Sequence, residues 1–179
     1  MEVNLVPMSL MRVIKYGLRS HMDLAEKNRT EIVYNKPEKD IIVSADKVRI
    51  QEIMDNFLNN AIKYTGQGKV EITVYEKDGL GWIDVKDTGI GISEENIAHL
   101  GKKFFRAQNL YNKSKNVVNP SGTGLGLFVS FLLIGIMKGQ KKITSKEGEG
   151  STFSFGLPIY NGPLELEEES AEEMEESQT

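Results

Sequence analysis

At 179 residues, 39% hydrophobic and 27% charged, the chain is long enough for one substantial globular domain. It has no cysteine, which excludes a disulfide framework, a thiolate metal site and a cysteine nucleophile, and its two histidines, His21 and His99, stand too far apart for zinc-ligand spacing. The net charge of −4 is unevenly divided: eight Glu lie in Leu164 to Thr179, leaving 22 basic against 18 acidic residues over 1–163, a mild excess that suits a nucleotide but not duplex nucleic acid.

The opening, MEVNLVPMSL, lacks the basic stretch and long apolar core of a secretory signal, so a cytoplasmic location is the simplest expectation. Val3 to Val6 reads as a short strand. Pro7 and Ser9 introduce a helix over Met8 to Lys27, whose apolar residues suit packing on one side. Glu31 to Tyr34 and Ile41 to Ser44 read as strands separated by a polar, Pro-containing turn, and Asp46 is placed to cap the next helix.

That helix, Gln51 to Thr65 (QEIMDNFLNNAIKYT), has two opposed faces. At about 100° per residue, Ile50, Ile53, Met54, Phe57, Leu58, Ala61 and Ile62 gather on one side, while Glu52, Asn56, Asn60 and Lys63 gather on the other. Asparagine is a mediocre helix former, so Asn56, Asn59 and Asn60 within two turns call for a reason beyond solvation. An amide oxygen is a hard, uncharged ligand for Mg²⁺ that does not repel phosphate, and Lys63 adds a cation on the same stripe. The stripe runs roughly 16 Å at 1.5 Å per residue, a length that accommodates much of an extended nucleoside triphosphate. On this segment alone, capping and solvation remain an equal alternative.

Gly66 and Gly68 end the helix. Lys69 to Glu76 and Gly81 to Lys86 alternate apolar and polar residues across Asp78-Gly79, predicting an antiparallel hairpin. It delivers Asp87-Thr-Gly-Ile-Gly-Ile92, where bare backbone at Gly89 and Gly91 would let a flat ring approach and Asp87 could accept from an exocyclic amine such as that of adenine. An isolated DxGxG is more often a simple Asp-Gly turn. A short helix over Glu94 to Leu100 follows, then Phe104-Phe105-Arg106, then a polar stretch, Ala107 to Ser121, of the length of a lid.

Gly122-Thr123-Gly124-Leu125-Gly126-Leu then opens an apolar helix running to Met137. Glycines there free backbone amides for phosphate at the positive end of the helix dipole. The Lys of a Walker loop and the preceding buried strand of a dinucleotide fold are both missing. Lys142 to Lys146 and Ser151 to Leu157, joined through Gly148-Glu-Gly150, predict a closing hairpin, and the acidic tail 164–179 is expected to be disordered or weakly helical.

The order EIMDNFLNNAIKYT, DTGIG, KFFR, GTGLGL and GEGSTFSFGLP resembles the ATP-binding catalytic domain of sensor histidine kinases, members of the Bergerat-fold ATPases. The resemblance covers roughly Asn4 to Pro158 and implies one catalytic domain over 1–163. Its fold would be a two-layer α/β sandwich, a mixed sheet of about five strands backed by about three helices with an ATP lid. It implies that Asn56 binds Mg²⁺, Asn60 orders metal and phosphates, Lys63 reaches phosphate and Tyr64 lies against adenine. Asp87 would take the adenine amine, with Gly89, Gly91 and Ile92 around it; Gly122, Thr123, Gly124, Leu125 and Gly126 would offer backbone to phosphates, joined by Arg106.

Glu52 matches the residue that activates water in hydrolysing relatives, and with Asn56 and Lys63 it completes the catalytic set that the resemblance implies. The implied activity is transfer of the γ-phosphate of ATP to a histidine on a separate dimerisation domain, with a response regulator as indirect partner. The segment itself would touch neither nucleic acid nor membrane, although the rest of such a kinase can be membrane-anchored. Neither His21 nor His99 has the acidic residue and proline that follow an acceptor histidine, so the acceptor is expected elsewhere. An anti-sigma-type serine kinase, or an ATP-binding module used for protein interaction, is the alternative.

Two departures stand out. Gly101 occupies a position where histidine kinases often have an aromatic. The run FVSFLLIGIM puts Phe128, Phe131 and Leu132 in slots expected to be wet, which predicts either a contact surface or packing under the N-terminal helix. Leu125 to Met137 is too short to span a bilayer.

Overall fold

The computed structural model describes residues 2–102 and 125–164. β1 (Val6–Ser9) pairs antiparallel with β3 (Ile42–Ala45) in a two-stranded ribbon. The strand begins at Val6 rather than Val3, because the Asn4 N–H is drawn to Asp46 Oδ2 at 2.9 Å; Pro7 is tolerated because both strands of a ribbon are edges. Ser9 then caps α1 (Leu10–Lys27), accepting from the Arg12 N–H at 3.1 Å, so the helix starts two residues later than its periodicity suggests. Its buried residues Leu10, Val13, Ile14 and Gly17 face α2 (Lys47–Thr65). A Cβ on Gly17 would lie 3.0 Å from Leu58 Cδ1, so this mid-helix glycine permits the close approach of the two helices.

Asp46 caps α2 as its position predicts, accepting from the Val48 and Arg49 N–H groups at 3.0 and 3.1 Å. These bonds, with the one from Asn4 contributing most, hold its carboxyl below the ordinary range. The apolar face of α2 is fully used: Ile50, Ile53, Met54, Phe57, Leu58, Ala61 and Ile62 are all buried.

The main sheet has five strands in the order β2-β4-β5-β7-β6: β2 (Thr30–Asn35), β4 (Gly68–Lys77), β5 (Leu80–Asp87), β7 (Gly150–Pro158) and β6 (Gln140–Lys146). β2 pairs parallel with β4 and the other pairs are antiparallel, giving the expected mixed sheet. β2 and β3 thus belong to different sheets. The β4–β5 hairpin turns on Asp78 and Gly79, both at positive φ (53° and 74°), the combination a tight two-residue hairpin needs. One face of the sheet carries Val70, Ile72, Ile83, Val85 and Phe155 into the core, where Phe57 meets Phe153 and Phe155 edge-on at 5.9 and 5.4 Å.

α3 (Glu94–Ile97) is capped by Ser93 and ends in a turn three residues short of Leu100. α4 (Gly126–Ile136) packs on α2 and on β6–β7. No helix among the described residues is long and apolar enough to cross a membrane. Phe104, Phe105, Arg106, Gly122, Thr123 and Gly124 lie outside the described residues, as does the acidic tail from 165 onward.

Candidate nucleotide site

The polar face of α2 meets the first turn of α4. Asn56 Nδ2 donates to the Gly126 carbonyl at 3.3 Å and to Ser130 Oγ at 2.9 Å, and a Cβ on Gly126 would sit 3.5 Å from Asn56 Oδ1. Its two donor bonds leave the amide oxygen as the end suited to a cation. Asn60, Lys63 and Tyr64 are half-buried on the same helix. Lys63 also stands in its last turn, where a cation opposes the negative end of the dipole. Leu125 precedes α4, and its apolar side chain provides no cap. Glu52 is ion-paired with Arg49 at 3.1 Å.

The second part of the site is the end of β5. Asp87 is 5% exposed, and its Oδ1 accepts from the Gly89 N–H at 2.9 Å and the Ser151 N–H at 3.3 Å. Burial pushes its carboxyl up to about 6, outweighing those two bonds, which act to lower it.

The segment after Asp87 is held from two sides. The Ile90 N–H donates to the Tyr64 carbonyl at 3.4 Å and the Gly148 N–H to the Ile90 carbonyl at 2.7 Å, so the loop is clasped between the end of α2 and the β6–β7 turn. A Cβ on Gly89 would lie 2.4 Å from the Tyr64 oxygen; one on Gly91, at φ +67°, would lie 1.9 Å from the Lys146 oxygen. DTGIG is therefore no simple Asp-Gly turn: both glycines are required by backbone packed against backbone.

A cleft of about 320 Å³ opens beside Asp87, walled by Ser145, Gly150 and Ser151 with Lys86 and Lys146 among its other lining residues. The side chains of Lys86, Thr144, Lys146 and Thr152 that line it lie on the sheet face opposite Asp87, and no residue of α2 lines it, so it stands apart from the polar face of α2. Among the described residues no group of three or more His, Asp or Glu could hold a metal. A cation here would take its remaining oxygens from phosphates and water, which fits a single amide ligand.

The sequence reading missed three serines. Ser130, fully buried, is the one hydroxyl in FVSFLLIGIM, and that isolation was a usable signal. Ser145 and Ser151 lie either side of the Gly148-Glu-Gly150 turn, three residues before it and one after, and their meeting depends on strand register. His21 Nδ1 lies 2.8 Å from the Gly17 carbonyl oxygen and 4.0 Å from Asp55 Oδ1, and His99 Nδ1 lies 2.9 Å from Lys102 Nζ; both histidines are partly buried and tied locally.

Residues 45–161 match the family model described as histidine kinase-, DNA gyrase B-, and HSP90-like ATPase. The chain is 35% identical over 164 residues to hybrid signal transduction histidine kinase B of Dictyostelium discoideum, covering 88% of this chain and 8% of that protein. It is 31% identical over 139 residues to sensor histidine kinase WalK of Bacillus subtilis, covering 76% of this chain and 22% of that protein. The chain therefore spans less than a quarter of the length of either relative. Among solved structures, full-length ShkA in complex with AMPPNP superposes with a TM-score of 0.76 at 25% identity, over 92% of this chain and 33% of that one. The catalytic domain of histidine kinase ThkA superposes with a TM-score of 0.74 at 24% identity, over 88% of this chain and 97% of that one, and bears on the fold. With the family model and the kinase relatives in agreement, the chain belongs to the histidine kinase-, DNA gyrase B- and HSP90-like ATPases, as a catalytic domain of the sensor histidine kinase type.

Proposed function

We propose that the chain binds Mg-ATP and transfers the γ-phosphate to a histidine on a separate dimerisation domain, as the catalytic part of a two-component sensor kinase that passes phosphate on to a response regulator. The observation that carries this reading is the bond from Asn56 to Gly126, which joins the amide-bearing face of α2 to the glycine-opened start of α4. In this reading Asn56 Oδ1 holds Mg²⁺, Asn60 orders metal and phosphates, Lys63 meets phosphate, and the amides after Leu125 and Gly126 face phosphate at the positive end of α4. Tyr64 lies along the adenine, Asp87 accepts from its amine, and Gly89, Gly91 and Ile92 form the wall beside it.

The AMPPNP held by ShkA is an ATP analogue and supports the same ligand here. Mg²⁺ when bound supplies neutralisation of phosphate charge, and positioning supplies most of the rest in phosphoryl transfer. Glu52, a carboxylate ion-paired with Arg49, stands on the same face of α2 as Asn56 and Lys63. Calorimetric titration with ATP, with and without Mg²⁺, tests the binding half: saturable binding strengthened by Mg²⁺ is expected, and absence of binding in both would overturn it.

A further inference from the structure

We propose that Ser145 is a positioning residue for base recognition, fixing the carboxylate of Asp87 so that the site takes a 6-aminopurine and rejects a 6-oxopurine; this rests on the ATP-binding reading above. Ser145 lies on β6, two strands from Asp87, and the nucleotide motifs of the chain do not include it.

Three groups converge on its hydroxyl: the Ile92 N–H donates to Oγ at 2.8 Å, Oγ donates to the Gly150 carbonyl at 3.0 Å, and Ser151 Oγ stands at 2.7 Å. Ser145 has one proton, so all three contacts are hydrogen bonds only when Ile92 and Ser151 donate to it and it donates to Gly150. Alanine can make none of them; threonine can make all three.

Each of the three partners leads back to Asp87. Ile92 ends the DTGIGI segment that Asp87 begins. Gly150 sits at φ +112° with its Cα against the Asp87 carbonyl, where a Cβ would come within 2.0 Å of the oxygen. Ser151 pairs with Asp87 across the strands and donates its N–H to Asp87 Oδ1. The hydroxyl of Ser145 thus ties the loop after the carboxylate to the strand beside it. An ionised carboxylate attracts a 6-amino group and repels a 6-oxo oxygen, so the discrimination between them measures how firmly that carboxylate is held.

The test compares ATP with inosine triphosphate, identical in ribose and phosphates and different only in the 6-substituent and the proton that N1 then carries, in wild type, Ser145→Ala and Ser145→Thr. Calorimetry gives both affinities and thermal unfolding gives stability. Loss of this half-buried hydroxyl is expected to cut the ATP-over-ITP preference about tenfold, with ATP weakened and ITP little changed, and Ser145→Thr is expected to restore it. Faster amide exchange at Ile92 in Ser145→Ala should accompany the loss. An unchanged preference in folded Ser145→Ala, whatever its melting temperature, would overturn the inference and leave the ATP site standing. If Ser145→Ala fails to fold, a wild-type preference not retained by Ser145→Thr overturns it instead. A wild type that binds neither nucleotide would overturn the functional reading itself.

Discussion

The ring of Phe131 fills the space that a side chain at position 101 would need. A Cβ on Gly101 would lie 2.2 Å from Phe131 Cδ2, and Gly101 holds φ at +77°. The glycine where an aromatic was expected and the phenylalanine in a slot expected to be wet are thus one feature, a ring supplied from α4 instead of from the segment after α3. Phe131 is half-buried against the core, with Lys141 Nζ 5.0 Å from its centroid.

Gly101→Ala should therefore destabilise by about 1–3 kcal/mol, through a crowded ring and a Cβ at positive φ. Phe131→Ala removes the ring, so the double mutant should be more stable than the sum of the two single losses predicts. Urea unfolding of the four proteins checks this; strict additivity would show that the two residues do not compete for the space.

Asp87 gives the protein a pH signature. Its folded pKa of about 6 lies above the ordinary carboxyl value, so between the two the native state holds a proton that the unfolded chain releases. Its contribution to stability is then fully present below about pH 4 and lost as pH rises through about 6, a cost of about 3 kcal/mol at pH 7. Asp87→Asn should recover part of that at pH 7 and little at pH 4, measured by urea unfolding at both. An equal gain at the two values would remove the buried charge as its cause.

Binding should run the other way. A protonated carboxyl is a poor acceptor for an amine, so ATP affinity should rise as pH passes through about 6, and Asp87→Asn should weaken ATP at pH 7 by a few kcal/mol at most. An affinity flat from pH 5 to 8, or a mutant unchanged in affinity and in its preference for ATP over GTP, would take Asp87 out of the base pocket.

Asn56 serves two partners through one amide. Asn56→Ala removes the proposed metal ligand and leaves Ser130 without its Asn56 bond, so stability should fall by about 1–2 kcal/mol and the Mg²⁺-dependent part of ATP affinity should disappear. Titrations with and without Mg²⁺ read the second effect separately. A mutant whose ATP affinity still strengthens with Mg²⁺ as in wild type would assign the metal to another residue.

Much of this was legible in the sequence because local rules carried it. The α2 periodicity, the Asp46 cap and the Asp78-Gly79 turn each needed only neighbouring residues, and each stands where its chemistry places it. Apart from the start of α1, set by the local Ser9 cap, what failed was non-local. The first strand was misplaced because Asn4 bonds to Asp46, 42 residues away, and the apolar surplus of α4 could not be assigned because Gly101 and Phe131 meet only in three dimensions. Of the three α4 residues in slots expected to be wet, Phe128 and Phe131 are half-buried and Leu132 is 45% exposed. Ser145 and Ser151 were illegible for the same reason: a one-residue slip in the β6–β7 register would send one of them to the opposite face.

Labelling with γ-labelled ATP tests the central claim most directly. The chain is incubated with Mg²⁺ and label, alone and with a histidine-bearing dimerisation domain of a sensor kinase in trans, beside Asn56→Ala as control. The account predicts little label on the chain alone, and acid-labile phosphohistidine on the added domain that requires Mg²⁺ and is lost with Asn56→Ala. Abundant phosphohistidine on the isolated chain at His21 or His99, or label transferred to serine in place of histidine, would contradict it.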